Sequence, residues 1–114
     1  MKVILHIFSG RPDPSWELTE EEDAELARRL MDLPPTHHML PEGGLGYSGF
    51  TLDNLDKLAG LPAEVQVFQG IIGVWENGYP TYYQDLCHLE AWLIERGRKL
   101  RYYGDLLNHL LGNN

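Results

Sequence analysis

The chain has 114 residues, 43% of them hydrophobic, a single cysteine and a formal net charge of −8. That length predicts one domain spanning residues 1–114, with a core that buries about two-thirds of the unfolded surface and folds without disulfide or metal. An acidic surface repels a phosphate backbone, which sets nucleic acid aside as a partner; apolar runs of only a few residues exclude a membrane-spanning helix, and Cys87 alone excludes an internal disulfide. The lone thiol and an N-terminus without a signal-peptide pattern give the cytosol as the expected compartment.

Val3, Ile4, Leu5, Ile7 and Phe8 predict a buried first strand that carries His6. The segment SGRPDPSW, Ser9 to Trp16, reads as a stiff loop outside regular structure, because Pro12 and Pro14 hold Arg11 and Asp13 extended. Thr19 with Glu22 forms a capping box and starts a helix, Glu20 and Glu21 suit its positive end, and Leu26, Ala27, Leu30 and Met31 make its apolar stripe. Leu33 before Pro34 and Pro35 marks its stop.

Residues 34 to 44 read as a loop and Leu45 to Leu52 as a second strand, in which Gly46 and Gly49 signal a bulge or a close backbone approach. A short helix is predicted from Leu52 to Ala59, ended by Gly60 and Pro62. Glu64 to Glu76 carries the strongest β signal and reads as one strand with both faces covered. Asn77 and Gly78 then suit a type I′ hairpin turn, which returns the chain as Tyr79 to Tyr83, an edge strand because Pro80 lacks an amide donor. Asp85 is the expected N-cap of a helix striped by Leu86, Leu89, Leu93 and Leu100, and Gly104 with Asp105 opens a last helix from Leu106 to Leu111. The order β-α-β-(α)-β-β-α-α gives an α+β fold, expected as a two-layer sandwich with helices packed on a small mixed or antiparallel sheet of about four strands.

No motif assigns a function. Gly44, Gly46 and Gly49 spell GLGYSG and match G-x-G-x-x-G, but strand-like Phe50, Thr51 and Leu52 follow where a dinucleotide site needs the start of a helix. The SGRPDPSW loop leaves a strand and enters a helix, and Arg11 offers a planar fork suited to a carboxylate or phosphate, with Asp13 and Trp16 beside it. Together with His37, His38 and Tyr47 of the second loop it forms the candidate ligand site, for a small anion or a minor enzyme activity, between residues 9–16 and 36–47. The plainer alternative pairs Arg11 with Asp13 or Glu17 and plugs Trp16 into the core.

His37, His38, Cys87 and His88 can be drawn as metal ligands, but neighbours on a helix point about 100° apart, and neither metal nor cofactor is assigned. Nothing near Cys87 activates it as a nucleophile, and His6 is the remaining candidate acid or base. Arg96, Arg98, Lys99 and Arg101, ahead of Tyr102 and Tyr103, read as a solvated helix face with Glu95 and Lys99 paired, or as a patch opposing the acidic start of the first helix in another copy or a partner. The aromatic residues exceed what one small core hides, so the leading expectation is an accessory domain that binds another protein or itself, anchored by Tyr79, Tyr82 and Tyr83 on the edge strand.

Overall fold

The computed structural model describes residues 1–7, 13–44 and 46–100, which form an α+β fold of six strands and two helices. In chain order these are β1 (Lys2–Leu5), β2 (Ser15–Glu17), α1 (Glu20–Arg29), β3 (Phe50–Asp53), β4 (Glu64–Phe68), β5 (Ile71–Glu76), β6 (Tyr79–Gln84) and α2 (Leu89–Arg98). The sheet order is β2-β1-β3-β4-β5-β6 and every pair is antiparallel.

Two strands more than the expected four arise from two local causes. Ser15 to Glu17 lies beyond the reach of the prolines and pairs with β1, Val3 opposite Trp16, although the whole 9–16 segment reads as irregular. The run from Glu64 to Glu76 is two strands, not one. Gln69 takes φ 47° and Gly70 φ 84°, a pair of left-handed residues that makes a tight hairpin turn. Gln69 hides that turn inside a continuous apolar pattern. The next turn, Asn77 at φ 56° and Gly78 at φ 86°, matches expectation, and β6 lies at the edge of the sheet.

Further departures come from backbone strain and side-chain capture. Among the described residues of the predicted 45–52 strand only Phe50 to Leu52 are regular, within a β3 that runs on to Asp53, since Gly46 and Gly49 hold φ near 90°. The expected 52–59 helix is a turn organised by Asn54. Its amide donates to the carbonyls of Leu58 and Leu61 at 3.1 and 3.3 Å, while its Oδ1 accepts the Leu58 N–H at 2.8 Å. Those side-chain bonds compete directly with a helical ladder. The predicted helix 106–111 lies outside the described residues, as do Arg101, Tyr102 and Tyr103.

Helix α1 begins as its sequence dictates. The Glu22 N–H donates to Thr19 Oγ1 at 3.1 Å and the Thr19 N–H to Glu22 Oε1 at 2.9 Å, closing the capping box. It ends at Arg29, two residues short of Met31, which therefore leaves the apolar stripe and stands 67% exposed. Helix α2 begins later than predicted: His88 occupies the N-cap position with φ 56° and contributes no side-chain bond. Asp85 acts from three residues upstream instead, its two oxygens accepting the N–H groups of Leu89 at 2.6 Å and Glu90 at 3.0 Å.

One sheet face makes the core with the helices. Val3, Leu5, Phe50, Leu52, Val65, Val67 and Ile72 lie on it by strand alternation, and Leu26 of α1 with Leu89, Trp92 and Leu93 of α2 complete the cluster. Burying a Leu or Phe side chain of this kind contributes about 1.5–3 kcal/mol, so these residues dominate the fold's stability. Arg29 clasps the helices together: Nε donates to Glu25, Nη1 donates to the Cys87 carbonyl at 2.6 Å, and the guanidinium lies 5.2 Å from the Trp92 ring centroid. On the opposite sheet face Trp75 packs edge-on to Tyr82 at 6.2 Å, and Leu40 of the long loop approaches Gly73 there.

Candidate functional site

The first place to look is the end of β1, where a polar cluster joins three distant parts of the chain. His6 continues β1 by donating its N–H to the Gly49 carbonyl, and its carbonyl accepts the Ser48 N–H. Its ring lies between Asp13 and Thr51, with Nδ1 3.1 Å from Asp13 Oδ2 and Nε2 2.6 Å from Thr51 Oγ1. A carboxylate only accepts, so with a neutral ring Nδ1 carries the proton, Nε2 presents its lone pair and the Thr51 hydroxyl donates to it. The other Asp13 oxygen accepts the Ile7 N–H at 3.1 Å.

That order of groups is also the order of a nucleophile, base and orienting acid. The geometry here closes on itself. Both ring nitrogens and both Asp13 oxygens are engaged, and Thr51 is only 9% exposed. The cluster ties residue 13 to β1 and β3. Sequence reasoning singled out His6 and Asp13 separately; Thr51 carried no signal, because its role depends on a strand register that brings residues 6 and 51 together across 45 positions.

The remaining sequence candidates scatter. Arg11 lies outside the described residues. Trp16 sits on β2 edge-on to Phe50 at 6.2 Å, partly buried against the core. Tyr47 turns inward: its ring meets Phe50 and Phe68 edge-on, its hydroxyl donates to Glu90 at 2.5 Å, and burial with the Glu90 carboxylate pushes that hydroxyl's pKa far up. His37 and His38 are exposed on the loop. Tyr47 thus links the loop to α2.

Cys87 and His88 precede α2. Among the described residues no group of three His, Cys, Asp or Glu side chains is arranged to hold a metal. Burial first, and the neighbouring Asp85 carboxylate second, push the Cys87 thiol up to about 11, which keeps it protonated and unreactive at neutral pH. The glycine motif leads into β3 with no helix after it, which removes the dinucleotide reading. Of the basic stretch, Lys99 Nζ lies 3.3 Å from Glu95, lowering that carboxyl's pKa through their hydrogen bond, and Arg96 Nη1 lies 4.0 Å from Glu22 of α1, while Arg101 lies outside the described residues. Acidic and basic ends thus meet within one molecule.

The edge strand separates the three tyrosines. Alternation places Tyr79 and Tyr83 on the helix side of the sheet and Tyr82 on the other, against Trp75. Tyr79 is 80% exposed. Beyond β6 the chain itself supplies a partial extra strand: the Thr36 N–H donates to the Tyr82 carbonyl at 3.0 Å and the Gln84 N–H to the Pro34 carbonyl at 3.1 Å, with Pro35 opposite Tyr83.

Two surface clefts open where α1 ends. The first, about 410 Å³, lies between that end and β5–β6 and is lined by Leu30, Leu33, Val74 and Tyr83 with the carboxylates of Asp32 and Glu76. The second, about 470 Å³, lies towards the start of α2 and includes Arg28, Arg29, Leu86 and Cys87. Met31, Asp32 and Leu33 line both, forming a ridge between them. Sequence reading missed this surface because it assigned Met31 to the buried stripe of α1.

Among the described residues no helix is long and apolar enough to cross a membrane. Comparison of the chain with protein-family models, curated proteins and solved structures finds no match.

Proposed function

We propose that this chain is an accessory association domain that docks a partner protein, or a second copy of itself, on the surface built by the end of α1, the ridge 31–33 and β6. The observation that carries this reading is Met31, a large apolar side chain 67% exposed on the ridge between two clefts. Leu86, 64% exposed, flanks the second cleft, and Tyr79 projects at the outer end of β6. Clustered exposed apolar side chains of this size mark interaction surfaces.

The mode of docking follows from the strand edge. An added strand needs outward N–H and carbonyl groups along β6. Segment 34–36 takes the Tyr82 carbonyl and the Gln84 N–H, and Pro80 has no N–H to offer. The partner therefore packs on the helix-side face instead of extending the sheet, with Tyr83 and Tyr79 as anchors and Tyr82 left to its contact with Trp75.

Met31→Glu tests this. Exposed position 31 tolerates a charge without loss of fold, so the thermal midpoint stays within about 2 °C of wild type. Sedimentation velocity of fluorescently labelled protein, alone and in extract of its native cells, is expected to show an associated species that this variant weakens at least about tenfold. An associated species unchanged by Met31→Glu, or no such species in either setting, would refute the reading.

A further inference from the structure

We infer that the cleft between the end of α1 and β5–β6 receives a segment of a partner protein in which a lysine or arginine is flanked by apolar residues. The inference rests on the association reading and specifies the chemistry of the occupant.

Its basis is charge. Asp32 and Glu76 are the charged groups that line this cleft, and among the described residues lining it there is no Lys, Arg or His. Both carboxylates belong to exposed residues. The carboxyl end of α1 adds the negative pole of a ten-residue helix at the same place. The basic residues of that last helical turn do not offset it from within the cleft: Arg28 and Arg29 are both held by Glu25 and line the second cleft. A cationic group entering here therefore meets two carboxylates and the negative helix pole, and no cation among the described residues that line this cleft.

The rest of the lining selects how the cation is carried. Leu30, Leu33 and Val74 offer apolar walls to an aliphatic stem, and Tyr83 adds an aromatic side chain to the lining. A free small amine would use only part of the surface. The ridge continues it into the second cleft, where Leu86 stands exposed, so an extended segment with apolar residues on either side of the basic one covers both.

The experiment is an NMR titration of the full chain with four probes: a leucine–lysine peptide, a leucine–glutamate peptide and a serine–lysine peptide of equal length, and n-butylammonium. Saturable shifts centred on Met31, Glu76 and Tyr83 are expected with the leucine–lysine peptide alone. Asp32→Asn with Glu76→Gln should weaken that binding about tenfold, whereas neutralising two exposed carboxylates elsewhere, Glu17→Gln with Glu42→Gln, should change it less than about twofold. The inference is overturned by equal binding of any other probe, by shifts centred elsewhere, by equal losses in the two double variants, or by no saturation. If the peptide fails while Met31→Glu still abolishes association, only the occupant's chemistry is wrong; if neither responds, the association reading falls too.

Discussion

Gly49→Ala is expected to destabilise the protein by at least about 3 kcal/mol, while Gly46→Ala costs about 1 kcal/mol and Gly44→Ala almost nothing. The three glycines of one motif face different constraints. Gly44 has open space around its Cα and no positive φ, so a methyl group meets nothing. Gly46 also has open space but holds φ at 92°, so alanine there suffers only the backbone penalty for the left-handed region. Gly49 combines φ 91° with a backbone on which a Cβ would collide with the Val67 carbonyl oxygen and lie 2.8 Å from Phe68 Cβ. Backbone blocks the first of these contacts, so relief requires moving β3 away from β4, next to the fully buried Phe50 and Val67. At about 4–8 °C per kcal/mol, the Gly49 variant should lose more than about 12 °C in thermal midpoint. Equal midpoints for the Gly46 and Gly49 variants would show that the close approach to β4 is absent.

Removing the Asp85 side chain should be the next most damaging change. Asp85→Ala strips both acceptors from the start of α2, where the left-handed His88 supplies none and the N–H groups of Leu89 and Glu90 are left without partners. A lost cap typically costs about 1–2 kcal/mol, and hydrogen bonds to a charged acceptor lie at the upper end, so we expect about 2 kcal/mol and a fall of about 8–16 °C. The same substitution has a chemical readout. The Asp85 carboxylate helps raise the Cys87 pKa to about 11, where only about one thiol in a thousand is ionised at pH 8. Its removal lowers that pKa, and alkylation of Cys87 by iodoacetamide at pH 8 should accelerate several-fold, with the wild-type rate rising about tenfold per pH unit up to pH 10. Burial, the larger cause, persists in the variant, so the thiol stays slower than a free cysteine. Unchanged stability together with unchanged alkylation would remove Asp85 from both roles.

What was legible in the sequence was what short-range chemistry dictates. Thr19 and Glu22 cap α1 because three residues separate donor from acceptor, Asn77 and Gly78 turn the chain because both accept positive φ, and Pro80 marks β6 as an edge through a missing donor. Asp85 was recognised as a cap for the right reason and placed at the wrong residue, since its reach extends past Cys87 and His88. The failures share a different cause. Gln69 adopts a left-handed conformation that its side chain does not announce, and Asn54 bonds carbonyls at Leu58 and Leu61 where a helix reading needs backbone partners. The His6, Asp13 and Thr51 cluster depends on β1 and β3 pairing in one register, which no local pattern encodes. The proposed docking surface was hidden by a single boundary: ending α1 at Arg29 turns Met31 from an expected core residue into the exposed ridge between two clefts.

Replacing Met31 by a photo-cross-linking residue in the native cell tests that surface most directly, with the same replacement at Glu17 as control. Glu17 is exposed on β2, at the sheet edge opposite β6. A discrete covalent adduct at position 31 and none at position 17 is the expected result, its partner peptide carrying a basic residue among apolar ones. Adducts of equal yield at both positions, or at position 17 alone, would contradict an association surface at the end of α1.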